Sequence, residues 1–307
     1  MKKTIVNPRP LFCGIEGGGT KFVCAIGTAP DDIRAEIRIP TTTPEETLAG
    51  AVQFFKDQEK SFGRLAAIGI ATFGPLDLLT DSPTYGQVLS TPKLRWSGAD
   101  LLGILRQAFD LPIGFNLDVN GAALGEHLWG AAKGSDTFIY LTVGTGIGGG
   151  VFAEGKLLRG LLHPEMGHIP LPHDRVRDPF EGNCPFHGDC FEGLASGPAM
   201  EERWGQRAET LTEDHPAWEL EAHYIAQALA AYIYTISPQR IIVGGGVGSN
   251  LGLLKMVRER TRALINGYLP TRAILNEIDS YIVAPALGNR SGVLGAIALG
   301  KEAWEKR

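Results

Sequence analysis

No run of this sequence is apolar for the ~20 consecutive residues that a membrane-spanning helix needs, so a membrane partner is not expected. Basic excess is missing too. Twenty-nine lysines and arginines against 34 aspartates and glutamates give a formal charge of −5, with no basic cluster, which argues against a nucleic-acid surface. Cysteine is scarce: Cys13, Cys24, Cys184 and Cys190 are the four in 307 residues. The first two alternate with apolar residues in strand-like runs and read as small core side chains. The opening segment, MKKTIVNPRPLFCG, follows its lysines with prolines and an arginine instead of the apolar core of a signal peptide. A cytoplasmic protein is expected, and in a reducing compartment four cysteines do not form a disulfide framework. No low-complexity linker is visible either.

The chain does have apolar mass and glycine. It is 44% hydrophobic with mean hydropathy near zero, enough to fill two cores, since single domains stop growing at ~250–300 residues. Its 40 glycines gather in three places, each after an apolar run. The first is Gly17-Gly18-Gly19-Thr20-Lys21, following Leu11-Phe-Cys-Gly-Ile-Glu16. The second is Gly144-Thr145-Gly146-Ile-Gly148-Gly149, following Phe138-Ile-Tyr-Leu-Thr-Val143. The third, Gly244-Gly245-Gly246, ends the apolar run from Arg240.

The first two clusters share one form: strand, glycine turn, strand. Glycine supplies the positive φ such turns use and lets another group approach the backbone. The repetition reads as one hairpin duplicated, and predicts two similar α/β lobes with a cleft between them. Helices are predicted over residues 43–59, where Pro44 and two glutamates open the first turn, and over 98–109, 120–129, 221–236 and 291–304. In the last, Gly292 and Gly295 share a face and suggest close packing.

Exposed N–H groups in a glycine turn make a concave, positive seat for phosphate oxygens. A single such loop is only a turn. Two hairpin loops with Thr20, Thr145 and Lys21 beside them, plus the third cluster, point to a nucleotide phosphate chain. A dinucleotide fingerprint does not fit, because its third glycine spacing is wrong and the sequence continues into a strand, not a helix.

Asp118 lies where a short strand (Pro112 to Leu117) enters a small-residue helix. It suits a helix N-cap. Beside phosphate loops it also suits a general base, because phosphoryl transfer needs positioning and charge neutralisation more than covalent help. The most specific stretch is Cys184-Pro-Phe-His187-Gly-Asp-Cys190. Two thiolates and one imidazole at this spacing suit a structural zinc ion, with His163, His168 or His173 as the fourth ligand. Glu165 and Glu192 flank that turn and can accept hydroxyls of a polyol.

These residues resemble the ROK (repressor, open reading frame, kinase) family of sugar kinases over nearly the whole chain. The carriers are Gly17–Lys21, Gly144–Gly149, Glu165-Met-Gly-His168 and the cysteine loop. Ile15–Cys24, Ala71-Thr-Phe-Gly74-Pro75, His163–His168 and Asn183–Pro198 narrow the resemblance to its bacterial fructokinase branch. The resemblance implies a two-lobed, actin-like ATPase fold of the duplicated ribonuclease H type. One lobe would span residues 1–120, with the C-terminal helix 291–307 packing back on it. The other would span 121–290 and carry the zinc loop. It also implies transfer of the ATP γ-phosphoryl group to O6 of D-fructose or a related hexose, with Mg(2+) and Zn(2+) as cofactors and a homodimer as the assembly. Asp118 becomes the base. Gly17, Gly18, Gly19, Thr20, Lys21, Gly144, Thr145 and Gly146 hold phosphates, and Gly244, Gly245 and Gly246 lie near the adenosine. Gly74, Asn120, Glu165, His168 and Glu192 become sugar contacts or their support, and His168, Cys184, His187 and Cys190 the zinc ligands.

Two departures stand out. Glu16 takes a position where most of the family has aspartate, as its fructokinase branch does; this acid would help hold magnesium. Leu117 replaces an asparagine common before the base, so a sugar contact falls to Asn116 or Asn120. A sugar-sensing regulator of the same fold needs a helix-turn-helix ahead of the first hairpin, and the dozen residues there are not helical in pattern.

Overall fold

The computed structural model describes residues 10–91, 93 and 95–307. The chain divides into two compact units. One is built from residues up to Gly125 together with Arg290–Arg307, the other from Glu126–Asn289. Among the described residues the strands make two five-stranded sheets, one in each unit.

In the first unit, apolar alternation yields β1 (Leu11–Gly17) and β2 (Lys21–Ala29), the hairpin whose turn is the first glycine cluster. β3 (Asp32–Pro40) continues antiparallel on the far side of β2. β4 (Leu65–Thr72) and β5 (Ile113–Leu117) then add parallel to β1, giving the order β3-β2-β1-β4-β5. In the second unit β6 (Phe138–Val143), β7 (Ile147–Ala153), β8 (Lys156–Leu157), β9 (Arg240–Gly244) and β10 (Ile282–Val283) repeat that order and those directions strand for strand. The duplication read from two glycine turns therefore extends to every strand.

Helix α1 (Pro44–Phe62) starts as its cap chemistry dictates: the Thr43 hydroxyl accepts the Glu46 N–H at 3.2 Å, and Gly63 ends it at φ 88°. α2 (Leu101–Ala108) begins later than the sequence suggests. Gly98 is in a left-handed turn at φ 77°, and Asp100 caps the helix by accepting from Gly103 N. α3 (Asp118–Trp129) follows β5 directly and carries the chain from the first unit into the second. α4 (Phe191–Ala195), α5 (Gly197–Trp204) and α6 (Ala217–Ile236) follow. α6 gains a turn over the expected 221–236 because Pro216 sits at its entrance; it stops at left-handed Ser237, before Pro238. Then come α7 (Gly245–Gly248), α8 (Leu251–Ile265), α9 (Arg272–Leu275) and α10 (Ile278–Tyr281).

The last helix, α11 (Ser291–Glu305), lies on the first sheet. Glycines make the approach possible. A side chain at Gly69 of β4 would fall on the Ala296 carbonyl, and one at Gly295 would fall on the Gly121 carbonyl of α3. The close packing expected of Gly292 and Gly295 is thus real. The first core is filled by Ile15, Phe22, Phe55, Ile70 and Trp96, among others, with the Trp96 indole donating to Thr42 O at 2.9 Å. The second core forms around α6 with Phe191, Leu194, Leu229 and Ile241. Among the described residues no helix is long and apolar enough to cross a membrane.

Candidate active site

In the first unit, the turn after β1 is held by backbone and threonine bonds. Gly18 N donates to Lys21 O at 3.0 Å, and Thr41 Oγ1 donates to Gly18 O at 2.8 Å. Gly19, Thr20 and Lys21 stay exposed. Phe73 N donates to Gly17 O, so the segment after β4 is tied to the end of β1; Gly74 lies in that segment, joined to Pro75 by a cis peptide. Asp118 stands at the C-terminal end of β5, and its Oδ1 accepts the Val119 N–H at 2.8 Å. A carboxyl at a strand end beside glycine turns is where doubly wound sheets put their chemistry.

Two acids share this region. Burial pushes the Glu16 carboxyl up to about 7, and the Asp118 charge adds to the push. Lys21 and the N–H of Val293, in the first turn of α11, pull it back. Burial likewise raises Asp118, against the opposing effects of the Val119 N–H and of Lys93. Behind them, Asn120 Nδ2 donates to Asn116 Oδ1 at 2.8 Å, and Asn120 Oδ1 is buried with no hydrogen-bond partner among the described residues.

In the second unit, Gly144 N donates to Gly146 O at 2.9 Å, and Gly197 N, at the start of α5, donates to Gly144 O at 2.7 Å. Thr145 projects from this turn, exposed. Of the two uses of glycine expected in these turns, positive φ is nearly absent and close approach is present. Of the three clusters' glycines only Gly245 has a left-handed φ, at 87°. Some of the others are there for room: a side chain at Gly146 would sit 2.8 Å from Glu192 Oε2, and one at Gly17 would meet Thr72, whereas one at Gly246 would meet nothing within 4 Å. Gly244 caps the short α7, with Gly246 exposed beside it.

Glu192, in the first turn of α4, joins two parts of this unit. Its Oε2 accepts the Ile147 N–H at 2.8 Å, and its Oε1 lies 3.9 Å from His168 Nε2. Glu165 is exposed, with Oε1 3.2 Å from His163 Nδ1. His168, Cys184, His187 and Cys190 present ligand atoms all within 4.8 Å of one another. His168 Nδ1 lies 3.7 Å from Cys184 Sγ and 3.6 Å from Cys190 Sγ, and His187 Nδ1 lies 3.7 Å from Cys184 Sγ. Zinc–sulfur and zinc–nitrogen bonds of ~2.3 and ~2.05 Å at a tetrahedral angle place S and N about 3.6 Å apart. The donor set therefore fits zinc. It also leaves His168 Nε2 facing Glu192, the kind of outer partner that orients a ligating imidazole.

The fourth member is His168 because the other two histidines are engaged elsewhere. His173 Nδ1 meets Asp189 Oδ2 at 3.0 Å and its Nε2 meets Asp178 O at 2.9 Å, while His163 faces Glu165. Asp178 is itself buried between Arg203 Nε, at 3.0 Å, and the Tyr224 hydroxyl. This network backs the metal loop, and spacing alone could not show it. Lys93 escaped the sequence reading as well; no motif marks it, and only the fold brings it to the acids.

Two sheets of one strand order, each opening on a glycine-turned hairpin, define a duplicated α/β ATPase fold of the actin-like class. The chain belongs to the ROK family, whose model matches residues 12–303. It is 45% identical to a fructokinase from Zymomonas mobilis over 98% of this chain and 99% of that one. Among solved structures it is similar to a ROK hexokinase from Thermus thermophilus, with a TM-score of 0.77 and 27% identity over 97% of this chain and 100% of that one. It is also similar to a ROK family glucokinase from Streptomyces griseus in complex with glucose and AMPPNP. There the TM-score is 0.71 and the identity 26%, over 95% of this chain and 99% of that one.

Proposed function

We propose that this protein is an ATP-dependent fructokinase that transfers the γ-phosphoryl group of ATP to O6 of D-fructose. The observation that carries the reading is the Asp118 carboxylate at the end of β5, in a chain that matches a fructokinase over its full length. As O6 attacks the γ-phosphorus, the bond from phosphorus to the β–γ bridging oxygen breaks and ADP leaves. The O6 proton passes to Asp118. Its raised affinity for a proton, set by burial, suits a base that must accept one in a partly dry site.

Around that step the residues take separate roles. Gly17, Gly18, Gly19, Thr20 and Lys21, with Gly144, Thr145 and Gly146, present N–H groups, hydroxyls and one ammonium to phosphate oxygens. Gly244, Gly245 and Gly246 leave room for the adenosine. Gly74, Asn120, Glu165, His168 and Glu192 hold the sugar or support what does, and the unpaired Asn120 Oδ1 offers an acceptor. Glu16 beside Asp118 gives two carboxyls with few compensating charges, an arrangement that suits a divalent cation. Glu16 and Asp118 would hold magnesium there, and it would supply charge neutralisation to the phosphates. His168, Cys184, His187 and Cys190 would hold zinc as a closed, structural site.

Glucose is the competing acceptor, favoured by the likeness to the Streptomyces glucokinase. The base assignment is tested with Asp118→Asn. Fructose binding by calorimetry should stay within about threefold of wild type, while kcat falls by ~10²-fold or more. Turnover within tenfold of wild type removes Asp118 from the role.

A further inference from the structure

The Lys93 side chain lies outside every motif of the sequence, yet its ammonium reaches the first glycine turn. Its Nζ sits 3.9 Å above the Phe73 ring and against Gly19 in the first glycine turn. It is half-buried, and among the described residues its ammonium has no ion pair or hydrogen bond, the Phe73 ring being its contact. A cation held on an aromatic face keeps its charge at modest cost. A partly dried ammonium without a carboxylate partner is nonetheless poorly placed unless an anion arrives.

We propose that Lys93 is a further catalytic residue, one that binds the phosphoryl group in transit between the nucleotide and the sugar. Resting on the kinase reading above, the argument is one of position. The base must touch the attacking hydroxyl, and the glycine turn must touch the phosphates. A charge lying against the turn and within Coulombic range of the base is therefore close to the group that passes between them. The electrostatics agree: burial lowers the proton affinity of Lys93, and the Asp118 charge is what holds it up. Reciprocally, Lys93 favours the ionised form of the base.

In the step itself the O6–phosphorus bond forms, the bond to the bridging oxygen breaks and the O6 proton goes to Asp118. Lys93 keeps its own proton throughout. Its contribution is positive charge aimed at the equatorial oxygens, where charge concentrates during transfer. Methionine at this position preserves the stem over Phe73 and removes the charge, so Lys93→Met isolates the electrostatic role.

The test measures ADP and the non-hydrolysable analogue AMP-PNP by calorimetry, with magnesium and fructose present, alongside steady-state kinetics. In Lys93→Met the analogue should bind at least tenfold more weakly, while ADP, which lacks the γ-phosphoryl group, changes less than about twofold. The same variant should lose ~10²-fold in kcat with fructose KM within about threefold. Lys93→Arg should recover part of both losses, since it restores the charge with a different geometry. Equal effects on ADP and AMP-PNP, unchanged kcat, or a loss confined to fructose KM overturns the assignment. Wild-type protein that binds neither nucleotide overturns the kinase reading itself, and the lysine's role with it.

Discussion

Glu16 and Asp118 reach one small region from the ends of two different strands; burial raises both carboxyls, and the Asp118 charge raises Glu16 further. The result is a carboxyl, Glu16, that stays protonated up to about 7. Its proton affinity in the fold is higher than the ordinary 4.5, so the native state binds the extra proton between those values. Two trends of opposite sign follow. Stability of the metal-free protein contains a contribution of ~3 kcal/mol that is present below pH 4.5 and lost as pH rises through about 7. Activity does the reverse: kcat/KM should climb as pH rises through about 7, because the proposed magnesium site and the proposed base would both require ionised carboxylates. Glu16→Gln should flatten the stability trend in a pH series of thermal melts and remove the step near pH 7 from the rate profile. A Gln variant with an unchanged step at pH 7 would show that another group titrates there. The sequence reading named Glu16 and Asp118, but the burial and the Asp118 charge that raise Glu16 were hidden. It depends on β1 and β5 lying two strands apart in one sheet and on the Val293 N–H arriving from the far end of the chain.

At the scale of elements, the cysteine loop shows what spacing can and cannot convey. Cys184, His187 and Cys190 were legible because a short turn brings residues three apart to one point. Spacing left the fourth candidate ligand open among His163, His168 and His173, and only the resemblance pointed to His168. Hydrogen bonding decides among them: His173 is saturated by Asp189 and Asp178, while His168 turns Nδ1 to the sulfurs and Nε2 to Glu192. That last contact links the metal loop to the second glycine turn, because Glu192 also holds Ile147 N. Purified protein should therefore contain about one zinc per chain by metal analysis. Stripping the ion with a strong chelator should lower the melting temperature and cut kcat/KM at least tenfold, with both restored by added zinc. A metal-free protein with full activity and an unchanged melting temperature contradicts the role of the loop. The glycine turns taught a different lesson. Their place in the fold was visible from strand, turn, strand; of the two reasons given for glycine, positive φ holds only at Gly245, while close approach holds at Gly146 and Gly17, where Glu192 and Thr72 arrive from distant segments.

For the whole molecule, the repeated strand order explains why a single sequence pattern, met twice, disclosed so much. The copying reaches past the hairpins to the parallel additions β4-β5 and β9-β10, whose pairing the two glycine turns did not disclose. The return of α11 onto the first sheet was suggested by family resemblance and by glycines on one helix face; it rests on Gly14, Gly69 and Gly114 in the strands, whose partners no local pattern reveals. Substrate choice belongs to this scale too, because one hydroxyl contact changes selectivity by only a few kcal/mol and several side chains would share the sugar in the proposed site. The most direct test of the account is ADP release measured with MgATP across a panel of fructose, glucose, mannose and N-acetylated hexosamines. The account predicts sugar-dependent ADP release with the highest kcat/KM for fructose and a product phosphorylated at O6. Release that is independent of sugar, or a panel in which fructose is not among the best acceptors, would contradict it.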